Sequence, residues 1–264
     1  MWRKFLAFVR LQLAVQMEYR VVMWIWLLSG FALPLINLAV WTSVAAHRPV
    51  AGFSAADFVS YFLAVMAIDH FTAEWSAYEW EWYVRQGQLS SRLLRPVDPV
   101  WELAAANVAY KLAQAVILLP VWALLWKLLG GTPYQLTPAH FALFLLTLTL
   151  AGMLNFLMGY CFAMLAFWTV RVGAFYEMFA WGIGYFLSGR LAPLEVLPSW
   201  VNAIANFLPF RYIIALPVEV LMGRAEPSLV LRGLTVQVIW LVACLVIKRW
   251  LWRCGLRRYT AVGG

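Results

Sequence analysis

Asp69, His70 and Glu74 stand in one long apolar stretch of the chain, and Asn107, Lys111 and Gln114 stand in the next. Polar and ionisable groups surrounded by hydrocarbon are costly, so each marks a structural pair, a substrate contact or an ion path. Asn107, Lys111 and Gln114 are spaced by four and then three residues, which puts them on one face of a helix. Lys111 needs a counter-charge, and Asp69 or Glu74 on the preceding antiparallel stretch is the nearest by connectivity. Such a pair would fix helix packing; the same groups could line a translocation path, and Asp69 with His70 could relay protons. His70 and Glu74 are four apart, as two helical metal ligands can be. No third His or Cys stands near them, so no metal site is expected. Glu177 lies in a later apolar stretch about two turns from Arg171, free to pair with a neighbouring helix or subunit. Glu195, Arg211 and Glu219 share a proline-rich apolar segment and could form a gate network at the outer surface.

The elements that hold these groups are set by composition. Of 264 residues, 64% are hydrophobic and 12% charged, against roughly 25% charged in an ordinary soluble domain. A bilayer core of about 30 Å needs roughly 20 apolar residues of helix, and six stretches reach or approach that length: about 21–45, 55–78, 101–129, 138–167, 173–189 and 229–250. Backbone in lipid must satisfy its own hydrogen bonds, and continuous apolar runs of this length do so as helices. The expected fold is an all-α integral membrane protein forming one transmembrane unit. Residues 1–20 interleave Arg3, Lys4, Arg10 and Arg20 with Trp2, Phe5, Phe8 and Val9, a pattern for a helix lying in the membrane interface. No cleavage site follows it, so no removable signal peptide is expected.

Segment 191–222 is apolar enough for a seventh span. Pro198, Pro209 and Pro217 would interrupt it, and Arg211 would lie near mid-membrane. Two short re-entrant helices in the outer leaflet fit better, tolerated where protein covers them. With both ends of the chain inside, thirteen of the twenty Lys and Arg fall on the cytoplasmic side, including the basic tail within 251–264. The positive-inside rule therefore puts both termini in the cytoplasm. Basic residues clustered at span ends explain the net charge of +8 without a nucleic-acid partner. Cys161, Cys244 and Cys254 are scattered, with no disulfide or metal spacing. The sixteen Trp residues bunch near span ends as an interfacial belt, although some could stack on an amphipathic substrate.

The longest charged stretch on the cytoplasmic side is 79–100, EWEWYVRQGQLSSRLLRPVDPVW with its flanks, in which Trp80, Trp82 and Tyr83 supply an apolar side. A short helix followed by a fixed turn at Gly87 and Pro96–Pro99 would make a rigid knob. Its aromatic and Arg content suits a protein-contact surface. This string, RQGQLSSRLLRPVDP, followed later by LAPLEVLPSWVNAIANFLPFRYIIALPVEVLMG, resembles the membrane subunits of ATP-binding-cassette (ABC) transporters of the type-2 export class, in a bacterial branch. The resemblance covers essentially the whole chain. It implies a permease in the bacterial inner membrane that pairs with a second permease subunit, identical or related, each docked on a separate ABC ATPase. It also implies that the segment after span 2 is the coupling segment, with Arg85, Gly87, Leu93, Leu94, Arg95, Pro96 and Asp98 at the docking positions. ATP and magnesium would reside on the partner. The chain itself lacks a G-x-x-x-x-G-K-[ST] phosphate loop, so it is not the motor. The apolar, aromatic bundle suits a hydrophobic or amphipathic cargo. Two other readings compete: an ion-gradient-driven transporter or channel using Asp69, His70 and Lys111, and an intramembrane enzyme. No internal repeat favours the former. The absence of HExxH and G-x-S-x-G disfavours the latter.

Overall fold

The computed structural model describes residues 2–134, 137–169 and 171–259. Helix α1 (Trp2–Glu18) runs through Tyr19 into α2 (Arg20–Val44). Helix α3 (Ala55–Thr72) opens with a capping box, in which the Ser54 hydroxyl accepts the Asp57 N–H and the Asp57 carboxylate accepts the Ser54 N–H, satisfying donors that a helix start leaves free. There follow α4 (Ser76–Arg85), α5 (Gln88–Leu93) and α6 (Val100–Leu129), the last ended by Gly130 in the left-handed conformation. Helix α7 (Pro138–Met164), capped by Thr137, continues as one 3-10 turn to Phe167. Helix α8 (Val172–Glu177), a π-helical turn (Met178–Ile183) and α9 (Gly184–Leu187) form one short rod. Helices α10 (Ser199–Ala205), α11 (Ala215–Leu221) and α12 (Pro227–Leu256) complete the order. Among the described residues there is no strand, only an isolated bridge between Val50 and Phe53.

Among the described residues four helices are long and apolar enough to cross a membrane: α2, α6, α7 with its 3-10 turn, and α12; a bent pair, Ser199–Ala205 with Phe210–Leu221, would make a fifth if it counted as one span. Its limbs meet at 79°, a bend that follows from Pro209 between them.

Three expected boundaries change. The stretch 55–78 ends at Thr72, and the chain breaks at Ala73–Trp75 before α4 starts. At 18 residues, α3 is about 27 Å long. The stretch 173–189 is not a continuous α-helix but the α8–π–α9 rod. The basic tail expected from 251 remains helical to Leu256, and residues 260–264 lie outside the described residues.

Helix α3 is the axis of the bundle. It packs against α2, α6, α7 and α11, and its residues from Phe58 to Met66 are all buried, so it meets protein on every side rather than lipid. Helix α1 lies against α6 through Val9, Ala105 and Ala109, the small alanines letting the two backbones approach. Both ends of the described chain sit beside segment 76–100: the Phe5 and Trp101 rings are 5.9 Å apart, as are those of Trp80 and Trp252.

Candidate functional site

The break at Ala73–Trp75 exposes backbone carbonyls inside protein, and three helices supply donors for them. Asn155 Nδ2 on α7 donates to the Thr72 carbonyl at 2.8 Å, Asn107 Nδ2 on α6 to Ala73 at 3.0 Å, and the Tyr176 hydroxyl on α8 to Glu74 at 3.3 Å. Three consecutive carbonyls are thus each held from a different helix. The Glu74 carboxylate turns forward and accepts the Ser76 N–H and the Ser76 hydroxyl, 2.8 Å away. It thereby starts α4, since an acceptor over the first turn satisfies an orphan N–H. A Cβ on Gly159 of α7 would collide with that carboxylate, so only glycine lets α7 come this close.

Below the break, α4 and α5 form the expected knob. Trp80 is fully buried among the rings of Tyr160, Phe167 and Trp252, with centroids 5.5, 6.3 and 5.9 Å away, and Leu89 of α5 is fully buried as well. Glu81 accepts the Gly173 N–H at 2.8 Å and pairs with Arg85 at 3.2 Å. Glu79 accepts the Trp75 indole N–H at 3.0 Å; burial raises its carboxyl above the ordinary value, partly offset by hydrogen bonds from Trp75 and Tyr83. Burial, with Glu79 beside it, pushes the Tyr83 hydroxyl up to about 12. Gly87 joins the two helices at φ +67°, a conformation that side chains with a Cβ resist. The Arg92 guanidinium lies 3.6 Å over the Tyr83 ring and 3.5 Å from Glu102, and Ser90 is hydrogen-bonded to Tyr259 at 3.0 Å.

A sequence model of ABC-2 family transporter proteins matches residues 28–263. The chain belongs to the ABC-2 transporter family. No curated protein matches it at a comparable level.

The docking positions named for this permease divide into two groups. Arg85, Leu94, Arg95 and Pro96 are exposed, Leu94 by 88%. Gly87 shapes the turn and Leu93 packs partly against the knob's core. Arg95 also pairs with Glu102 at 3.3 Å. Asp98 faces inward: one carboxylate oxygen accepts the Val100 N–H at 3.0 Å and the other meets Lys248 Nζ of α12 at 3.1 Å.

The polar residues of the spans are placed differently from expectation. Asp69 pairs with Arg190, at 2.7 Å, rather than with Lys111. Arg190 reaches back into the bundle just past the end of the α8–π–α9 rod at Leu187. Its carbonyl accepts Asn37 Nδ2, which also donates to the Tyr185 hydroxyl at 2.7 Å. Lys111 makes no ion pair among the described residues, and the His70 ring approaches its carbonyl at 3.3 Å. Asn107 and Gln114 do share a function: Gln114 Nε2 donates to the Met23 carbonyl at 3.0 Å, so both tie α6 to neighbouring backbone. Glu177 accepts the Tyr78 hydroxyl at 3.1 Å. Arg211 and Glu219 form a buried two-oxygen ion pair at 3.0 and 3.1 Å, with Asn202 accepting from Arg211 at 3.3 Å. Glu195 is exposed and outside that pair. Asn37, Asn155, Tyr176, Tyr185 and Arg190 escaped the sequence reading. Asn155 carried a usable signal as a lone amide in an apolar span; Arg190 did not, because a span of ordinary length would put it in the head groups.

Proposed function

We propose that this ABC-2 permease spans the membrane six times, with α3 and the α8–π–α9 rod as short crossings and the bent α10–α11 region re-entrant from the outer side. Both termini face the cytoplasm of a bacterial inner membrane. Two permease subunits, identical or related, enclose the path for a hydrophobic or amphipathic substrate moved outward. Separate ABC ATPases, which hold ATP and magnesium, dock on the α4–α5 knob and drive the cycle. The observation that carries this reading is the build of the knob. It is anchored inward by Trp80 and Leu89, joined to α3 through the three-helix clasp at residues 72–74, and exposed at Arg85, Leu94 and Pro96. A force applied at the exposed crown therefore reaches α3, α6, α7 and α8 through hydrogen bonds rather than through a loose loop. The gradient-driven alternative loses support for its relay, since Asp69 is held by Arg190 and the His70 ring lies at the Lys111 carbonyl and beside Tyr110.

The test is purification of the tagged permease in mild detergent from its native source, with mass spectrometry of the proteins that accompany it. One ATPase per permease subunit is the expected composition. A preparation free of ATPase, under conditions that keep other ABC complexes intact, defeats the docking reading.

A further inference from the structure

Beside the knob lies a cleft of about 500 Å³. Lys4, Phe5 and Phe8 of α1 form one wall, Leu93 and residues 95–99 the opposite wall, and Trp101 and Trp252 flank them. Its charge is unbalanced. Glu102 is shared by Arg92 and Arg95, and Asp98 is neutralised by Lys248, while Lys4 is in no ion pair among the described residues. Of the charged side chains that line the cleft, Lys4 and Arg95 therefore stand against one carboxylate, Asp98, which Lys248 already neutralises from outside it. The remaining lining is aromatic or apolar, and it sits where an amphipathic helix meets the ends of two long spans. Basic pockets between helices at this depth suit anionic lipid head groups, Trp at the same level suits the interfacial zone, and the volume lies within the range of small-ligand sites.

We propose that this cleft binds one anionic glycerophospholipid. Its phosphodiester lies between Lys4 and Arg95, and its glycerol and first acyl carbons lie against Phe5, Phe8, Trp101 and Trp252. The lipid joins α1 to the coupling segment, so the membrane's anionic content bears on the rigidity of the knob. This site rests on the reading of α1 as an interfacial helix, and its lipid titration is first run on the permease without its ATPase.

The experiment is native mass spectrometry of the purified full-length permease titrated with palmitoyl-oleoyl phosphatidylglycerol or palmitoyl-oleoyl phosphatidylcholine. The wild-type chain retains one phosphatidylglycerol at concentrations at which phosphatidylcholine is lost. Lys4→Glu weakens that adduct tenfold or more, whereas Arg10→Glu, an exposed α1 charge outside the cleft, changes it less than twofold. Equal retention of the two lipids, an unchanged adduct in Lys4→Glu, or equal loss in Arg10→Glu overturns the site. So does one-for-one expulsion of the lipid when the ATPase assembles, which would give the cleft to the protein partner. ATPase co-purification without phosphatidylglycerol preference defeats the lipid site alone; a Lys4-dependent adduct on a permease that recruits no ATPase defeats docking alone.

Discussion

Residues 199–221 and residues 76–98 are both short helices joined by a bend, and both carry ion-paired charges. They handle it in opposite ways. In the first region Arg211 and Glu219 face each other with only 10% and 6% of their side chains exposed, and everything from Phe210 to Leu221 is buried. In the second, Trp80 and Leu89 are sealed, but Arg85 and Arg95 keep 55% and 50% of their side chains exposed while pairing with Glu81 and Glu102. A sealed pair holds a shape. Ion pairs at an exposed rim are worth little in stability, about 0–1 kcal/mol, and leave their groups free to exchange partners. The first region is built as a fixed plug, the second as a surface presented to something else.

The largest effect should come from opening the plug. Glu219→Leu leaves Arg211 buried without a counter-charge, a loss of about 3–5 kcal/mol for a broken buried pair. Thermal unfolding in detergent, followed by tryptophan fluorescence, should show a steep drop or no folded protein. The double variant Arg211→Met, Glu219→Leu should recover most of it, since apolar replacement of a buried pair is often neutral. A single variant as stable as the wild type would show that the plug is not sealed.

Next comes the turn in the knob. Gly87→Val forces a β-branched residue to φ +67°, at a cost of roughly 1–2 kcal/mol. Because Leu89 and Trp80 anchor the helices on either side, the strain should loosen the knob rather than the bundle. Thermal unfolding should shift modestly while ATPase activity of the assembled complex falls. An unshifted melt with full activity would mean the turn relaxes freely.

The sequence exposed the α-helical class, the four long spans, the kink at 191–222 and the special backbone at Gly87, because each rests on local pattern: apolar runs, prolines, a glycine between two short amphipathic pieces. Partners in space were a different matter. Connectivity offers Asp69 or Glu74 as the partner of Lys111, but α3 turns Asp69 toward Arg190, Glu74 turns to Ser76, and His70 lies against α6. The clasp at residues 72–74 depends on three helices converging on one break, and no single stretch of sequence encodes it. Of the three charges expected in the outer network, Arg211 and Glu219 meet, since a turn of 3-10 helix running into α11 brings them together, whereas Glu195 sits on a separate 3-10 turn.

Asp98 then separates internal holding from docking. Its carboxylate is 3.1 Å from Lys248, so Asp98→Ala and Lys248→Ala should act alike, each costing about 1 kcal/mol or less. The double variant should be no worse than either single one, because the same contact is lost each time. A strictly additive pair, measured by thermal unfolding, would place Asp98 on an external partner instead. An Arg95→Ala, Asp98→Ala double variant should uncouple ATP hydrolysis from transport, with Arg95 acting at the surface and Asp98 through its pair with Lys248 of α12.

Leu94 gives the smallest stability effect and the cleanest reading of the presented surface. It is 88% exposed, next to Leu93, which packs inward. A leucine so placed adds almost nothing to the fold, and surface changes away from packed features usually stay within about 0.5 kcal/mol. Leu94→Asp should therefore leave the melting curve where it is. If the knob is the ATPase's seat, an apolar side chain at its crown is a contact to be buried, and a carboxylate there would be desolvated on docking without a partner. Co-purification of the ATPase should then fall several-fold with no change in the yield of folded permease. Full ATPase recovery with Leu94→Asp would move the contact away from this crown and toward Arg85 on the other side of Gly87.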